Sequence, residues 1–186
     1  MSVFDRFRLE GKRLFITGGS RGLGREMALA IADAGADVVL VGREAESLAA
    51  TSTDIRRLNR KAIPLAGDMG QPEKCEKLCL RALADYGPFD ILINNIGGRL
   101  ILPQLEDQSL AEWQRIVDLN LTSTFLCMKH IGGAMVRRGQ GGRVINVASM
   151  SGMIANRGTG GRSYETAKAA VIHLTRSAAV DWPEPV

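Results

Sequence analysis

A tyrosine and a lysine stand four residues apart in "SYETAKAAVIHL", at Tyr164 and Lys168. On a helix that spacing puts both side chains on one face, within reach of each other. A free phenol titrates near ~10 and carries protons poorly at neutral pH, but a neighbouring ammonium favours the phenolate. The pair is therefore suited to acid/base work at an oxygen, such as protonating the alkoxide formed when a carbonyl is reduced. Just upstream, "NVASMSG" offers two hydroxyls, Ser149 and Ser151, able to hydrogen-bond such an oxygen. Taken alone, a Y-x-x-x-K match is as compatible with an exposed surface pair.

A second chemical feature lies near the N-terminus. "FITGGSRGLGREMALAIADAG" sets Gly18, Gly22 and Gly24 between a β-branched run and a helical pattern. Glycines at such a turn let the backbone approach a pyrophosphate, whose charge the helix N-terminus meets. The spacing is G-x-x-x-G-x-G, not the G-x-G-x-x-G of the common dinucleotide fingerprint. Ser20, Arg21 and Leu23 fill the turn and are counted with it as cofactor-binding. At the end of the next strand, where a carboxylate would hold a ribose diol, "VVLVGRE" has Gly42 and Arg43. Arg21 and Arg43 suit a 2′-phosphate, which takes charge-assisted donors and is repelled by carboxylates. The expected cofactor is NADP rather than NAD, with Glu44 as the contrary charge.

The elements that must position these groups alternate along the chain. Strands are expected at 13–17, 37–41, 62–66, 90–94 and 143–148. Helices are expected at 24–34, 45–60, 72–86, 109–138 and from Tyr164 to about 182. Apolar runs without polar alternation fit strands covered on both faces. The pattern predicts an α/β fold, a doubly wound parallel sheet of Rossmann type, formed by residues 1–186 as a single dinucleotide-binding and catalytic domain. Gly35 and Gly87-Pro88 read as helix stops, and Ser109 with Glu112 as a capping box.

Composition narrows the function classes. The chain has 186 residues and a formal charge of +4, with basic residues scattered rather than striped, which argues against nucleic acid. No apolar h-region or 18-residue apolar run occurs, so a soluble cytoplasmic protein with no membrane partner is expected. Cys75, Cys79 and Cys127 make no disulfide framework. Cys75 and Cys79 share a helix face, and with no second pair or His at ligand spacing no metal site is expected.

"TGGSRGLG", "NNIG", "NVASMSG" and "YETAK" occur in the order and approximate spacing of the short-chain dehydrogenase/reductase family, which the chain resembles from residue 11 to about 182. It is similar to the sugar-alcohol and gluconate dehydrogenases of that family, and more broadly to its 3-oxoacyl-carrier-protein reductases. The resemblance implies hydride transfer between NADP(H) and a small-molecule secondary alcohol or ketone. It implies Tyr164 as acid/base, Lys168 binding the nicotinamide ribose and favouring the phenolate, Ser149 (rather than Ser151) orienting substrate, and Asn120 holding a proton-relay water. On the cofactor it places Asp68 and Met69 at the adenine and Asn94, Asn95 and Gly97 along the dinucleotide, with Tyr164 and Lys168 at its nicotinamide end. Ile96 stands where the family usually has alanine. Arg99, Arg157 and Arg162 fall at the pocket mouth, as ligands for a substrate carboxylate or as solvated loop residues. In the family the helix bearing Tyr and Lys leads into a sixth strand, a substrate-covering loop and a seventh strand. Here "DWPEPV" is expected to break the helix at Pro183 before them, leaving the fifth strand as an open edge. A shortened, non-catalytic nucleotide-binding or partner-binding paralogue is the alternative reading. The helices around 109–138 and 164–182 are expected to pair chains into a homodimer or homotetramer.

Overall fold

Five short β-branched or apolar segments pair in register into one parallel sheet. The computed structural model describes residues 3–182. The strands are β1 (Arg13–Thr17), β2 (Asp37–Gly42), β3 (Ala62–Ala66), β4 (Ile91–Asn94) and β5 (Arg143–Asn146), in the order β3-β2-β1-β4-β5. Every pairing is parallel, with Thr17 level with Val41 on one side and Asn94 on the other. The order reverses direction at β1, so the crevice of a doubly wound sheet opens beyond the carboxyl ends of β1 and β4.

Alternate residues of each strand feed two separate cores. Leu14, Ile16, Val38, Leu40 and Ile93 pack with Ala28, Ala32, Leu48 and Ile55 of α1 (Gly22–Asp33) and α2 (Ala45–Arg57). Phe15, Val39, Val41 and Leu92 point the other way, against α3 (Pro72–Tyr86) and the long helix α4 at 110–138. Phe15 and Phe89 meet edge to face at 5.4 Å in that second core, an arrangement worth ~0.5–1.5 kcal/mol beyond area burial. The last helix, α5 (Arg162–Asp181), lies on the same side through Leu174, Ala178 and the following Trp182. Among the described residues β5 is the terminal strand of the sheet, and Ile145 on it is exposed. The helix break expected at Pro183 lies outside the described residues.

Punctuation acts as its chemistry dictates. Gly35, at φ +118°, turns the chain out of α1, and its neighbour Ala36 donates back to the Ile31 carbonyl at 3.2 Å. At Ser109, side chain and backbone exchange hydrogen bonds with Glu112, completing the capping box. The helix expected over 109–138 differs in one respect: it is interrupted by π-helical turns at Asp118–Thr122 and Met128–Gly132. Around the first of these, carbonyls are taken up by side chains: Asn120 amide to Ile116, Ser123 hydroxyl to Leu119 and Thr124 hydroxyl to Asn120, at 2.9, 2.7 and 3.1 Å. Polar side chains able to serve backbone carbonyls make the wider turn tolerable and set Asn120 inward. No helix among the described residues is long and apolar enough to cross a membrane.

Candidate active site

The turn after β1 is built for close approach. Gly18 and Gly22 hold φ of +70° and +54°, a region L side chains avoid. The Gly18 and Gly19 amides donate to the Val41 carbonyl at 2.7 and 3.2 Å, folding the turn over β2. A Cβ on Gly24 would lie 2.0 Å from the Gly18 carbonyl oxygen, so α1 begins directly against the turn. Asn95, just past β4, braces the same turn: its amide donates to the Thr17 and Gly18 carbonyls at 3.2 Å each, and its N–H to the Thr17 hydroxyl at 3.1 Å. Arg21 is the N-cap of α1 and makes no side-chain cap. The first amides of a 12-residue helix are thus left to meet an anion.

From this turn a cleft of about 480 Å³ runs to the start of α5. It brings together Gly18, Ser20, Arg21, Gly22, Leu23, Gly24, Arg43, Asn95, Gly97, Tyr164 and Lys168, most of the residues singled out by sequence. Arg21 and Arg43 are exposed, and neither guanidinium has a hydrogen-bond or ion-pair partner among the described residues. Glu44 lines the same end and is likewise exposed. The cleft walls do not include five of the residues expected there, among them Asn120, which is fully buried behind Gly97 and Gly98. Asp68 accepts from the Gly70 amide and the Gln71 side chain, both at 3.0 Å, as part of a local turn. The Met69 side chain is fully buried in the α3/α4 core, so only its backbone is free to face a ligand. Asn94 donates to the Asn146 side chain at 2.8 Å, tying β4 to β5 instead of lining the adenosine side. Ser149 lies just past the cleft-lining Val147 and Ala148.

At the other end, Tyr164 and Lys168 share one face of α5. Lys168 is 3 % exposed, and its ammonium donates to the Val147 carbonyl at 2.8 Å. Burial outweighs that single bond and lowers its pKa to about 8. Gly97 fits between Lys168 and Asn120: a Cβ there would lie 2.7 Å from Asn120 Oδ1 and 3.0 Å from Lys168 Nζ. The fully buried Asn120 clamps the following residue, accepting from the Gly98 N–H and donating to the Gly98 carbonyl, both at 2.9 Å. Its side chain therefore fixes the loop after β4 against the lysine.

The two serines separate by environment. Ser149 caps the 3-10 turn Met150–Gly152, its Oγ accepting, among the described residues, only from the Ser151 amide at 3.1 Å. Ser151 Oγ is taken by Arg99 at 3.3 Å and by Asn156 at 2.9 Å. Both belong to a network centred on Glu165, a residue the sequence reading passed over. Its carboxylate accepts from Asn156 and Arg162 at 2.8 Å each and pairs with Arg99 at 3.4 Å. Burial pushes the Glu165 carboxyl up, but the bonds from Asn156 and Arg162 prevail and hold it at about 2. The only sequence signal for this hub was the i, i+3 spacing of Arg162 and Glu165. Arg99 also stacks over the Tyr164 ring at 5.1 Å. Of the three arginines expected at the pocket mouth, Arg99 and Arg162 are thus committed to the loop, and Arg157 stays exposed.

Comparison with known proteins agrees with this geometry. The sequence model of the short chain dehydrogenase family matches residues 12–185. Galactitol 2-dehydrogenase of Rhizobium johnstonii is 38% identical over 184 residues, 98% of this chain and 70% of that protein. The crystal structure of a 3-oxoacyl (acyl-carrier-protein) reductase from Agrobacterium tumefaciens C58 with NADP bound superposes with a TM-score of 0.89 at 31% identity, covering 98% of this chain and 69% of that one. A 7 alpha-hydroxysteroid dehydrogenase complexed with NADH and 7-oxo glycochenodeoxycholic acid gives a TM-score of 0.87 at 32% identity, covering 97% and 69%.

Proposed function

Because this chain belongs to the short-chain dehydrogenase family, we propose that it reduces a ketone, or oxidises the matching secondary alcohol, with NADP(H) in the cleft between the glycine turn and α5. A bound nicotinamide dinucleotide supplies or accepts the hydride. The protein's residues supply the rest. Gly18, Gly22 and Gly24 admit the pyrophosphate to the uncapped amides of α1. Tyr164 donates its phenolic proton to the alkoxide oxygen as it forms and takes one back in the reverse direction. Lys168, desolvated beside Val147 and Gly97, binds the nicotinamide ribose and stabilises the phenolate. Ser149, the less engaged of the two serines, hydrogen-bonds the substrate oxygen. Asn120 keeps the loop after β4 in place; both of its amide hydrogens are engaged by Gly98 and Ile116, so a relay water is left only the second lone pair of its side-chain oxygen. Asp68 and Met69, the latter through its backbone, meet the adenine.

The observation that supports the choice of NADP is the pair of guanidiniums, Arg21 and Arg43, without partners among the described residues and flanking the helix N-terminus. Since relatives are known with NADP and with NADH, the preference rests on these residues. Charge-assisted hydrogen bonds of this kind are worth ~1.5–3 kcal/mol, so Arg43→Glu should weaken NADPH at least ~10-fold while leaving NADH nearly unchanged. Fluorescence titration of both cofactors decides it: an unaltered NADPH-to-NADH ratio in the variant contradicts the assignment.

Leu110 and Phe125 on α4 and Val180 on α5 are exposed, which supports pairing of chains through those helices in a cytoplasmic homodimer or homotetramer. The alternative of a non-catalytic paralogue draws no support from relatives that are dehydrogenases and reductases.

A further inference from the structure

The three cysteines occupy one place in the fold. Cys75 and Cys79 lie one turn apart on α3, and Cys127 faces them from α4, 48 residues away in sequence from Cys79. All three are fully buried in the core between these helices and the sheet. Their sulfurs lie within 4.8 Å of one another, and Cys79 and Cys127 approach to 3.7 Å. Around one centre with M–S bonds of ~2.3 Å, sulfurs are separated by ~3.8 Å at tetrahedral angles and by ~3.5 Å at the ~100° angles of a three-coordinate centre that carries a lone pair. The Cys79–Cys127 pair is already at this distance, and a separation as wide as 4.8 Å closes on such a centre by a shift of just over ~1 Å.

We propose that Cys75, Cys79 and Cys127 form a three-thiolate site for a trivalent thiophilic metalloid, of which arsenic(III) is the type. Thiolates select soft centres. Charge then selects among them. Three thiolates around a divalent ion leave a net negative charge in an apolar core, which is costly without a compensating cation. Lys129 and His130 on the neighbouring turn are both directed to Glu76, at 2.9 and 2.7 Å. A trivalent centre leaves the site neutral. The reaction balances without a redox step: arsenous acid, As(OH)3, exchanges three As–O bonds for three As–S bonds. The three thiol protons leave with the hydroxides as three waters. No fourth ligand is required.

Because the sulfurs are fully covered, entry proceeds through local separation of α3 from α4. The capture rate therefore levels off as arsenite rises, and low denaturant accelerates it. Bound arsenic clamps the two helices and raises the thermal midpoint.

The test uses arsenite with the full chain, read by native mass spectrometry and by counting free thiols after denaturation. The expected result is one arsenic per chain, with a mass gain of one arsenic less three hydrogens, and a thiol count falling from three to none. Cys79→Ala, with Cys127→Ala as a second variant should the first fail to fold, should weaken binding at least ~100-fold, the upper end of what even an outer-shell partner contributes at a metal site. Zinc and cadmium, offered in competition, should not displace it. Undiminished arsenite binding by both alanine variants overturns the site, as does no capture by the folded protein. Displacement by zinc or cadmium overturns the charge argument on which the choice of occupant stands. None of these readouts depends on hydride transfer.

Discussion

Lysine 168 offers a quantitative test that needs neither substrate nor cofactor. Its ammonium is desolvated at the start of α5, with the Val147 carbonyl as its hydrogen-bond acceptor, and its pKa falls from 10.5 to about 8. At 1.36 kcal/mol per pH unit, that fall corresponds to about 3 kcal/mol. Between pH 8 and 10.5 the unfolded chain keeps the lysine proton while the folded chain releases it. The unfolded state then binds more protons, and stability rises with pH across this window. Below pH 8 the folded protein bears the full cost of a buried charge. Lys168→Met removes the titration and substitutes an apolar chain of similar length. Urea unfolding of the cofactor-free protein at pH 7, 8, 9 and 10, with and without Lys168→Met and with Tyr164→Phe in both backgrounds, isolates the effect, because groups that do not interact with Lys168 cancel in the difference. The variant should be favoured most at pH 7 and lose up to about 3 kcal/mol of that advantage by pH 10. A difference that stays flat over this range refutes the assignment of a desolvated lysine.

Two other substitutions probe the supports of the site. Asn120→Ala removes the partner of both Gly98 backbone groups and leaves buried polar atoms unsatisfied, a loss of ~1–3 kcal/mol for each; thermal unfolding should fall accordingly, and cofactor binding should weaken as the loop after β4 loosens. Ser149→Ala should lower turnover with little change in unfolding, whereas Ser151→Ala, which breaks contacts from Arg99 and Asn156, should perturb the loop and raise KM; the reverse pattern would exchange their roles.

The parallel sheet was readable because each strand is a continuous apolar run and each turn carries its own glycine chemistry. The capping box at Ser109 and the stop at Gly35 are local rules, and they hold locally. The glycine turn and the Tyr164–Lys168 face could be placed from spacing alone, since both lie within one element and its adjoining turn. What spacing could not supply were contacts between elements. Cys127 meets Cys75 and Cys79 only because α4 packs on α3. The Glu165 hub draws Arg99, Ser151 and Asn156 from two separate loops, so its members look unrelated along the chain. The π-helical turns in α4 depend on side chains capping particular carbonyls, which a 3.6-residue period does not reveal. Asn94 shows the same limit: at a strand end it reads as a ligand position, and its bond to Asn146 on the neighbouring strand appears only once the sheet is assembled.

The central claim is that the phenol of Tyr164 carries the proton in a hydride transfer at this cleft. The most direct measurement is single-turnover oxidation of NADPH by a panel of ketones, with wild type beside Tyr164→Phe, after titration has shown that both bind NADPH equally. The account predicts matched binding and a variant rate at least ~100-fold lower, the scale of a positioned general acid. Turnover by the phenylalanine variant at the wild-type rate would contradict it.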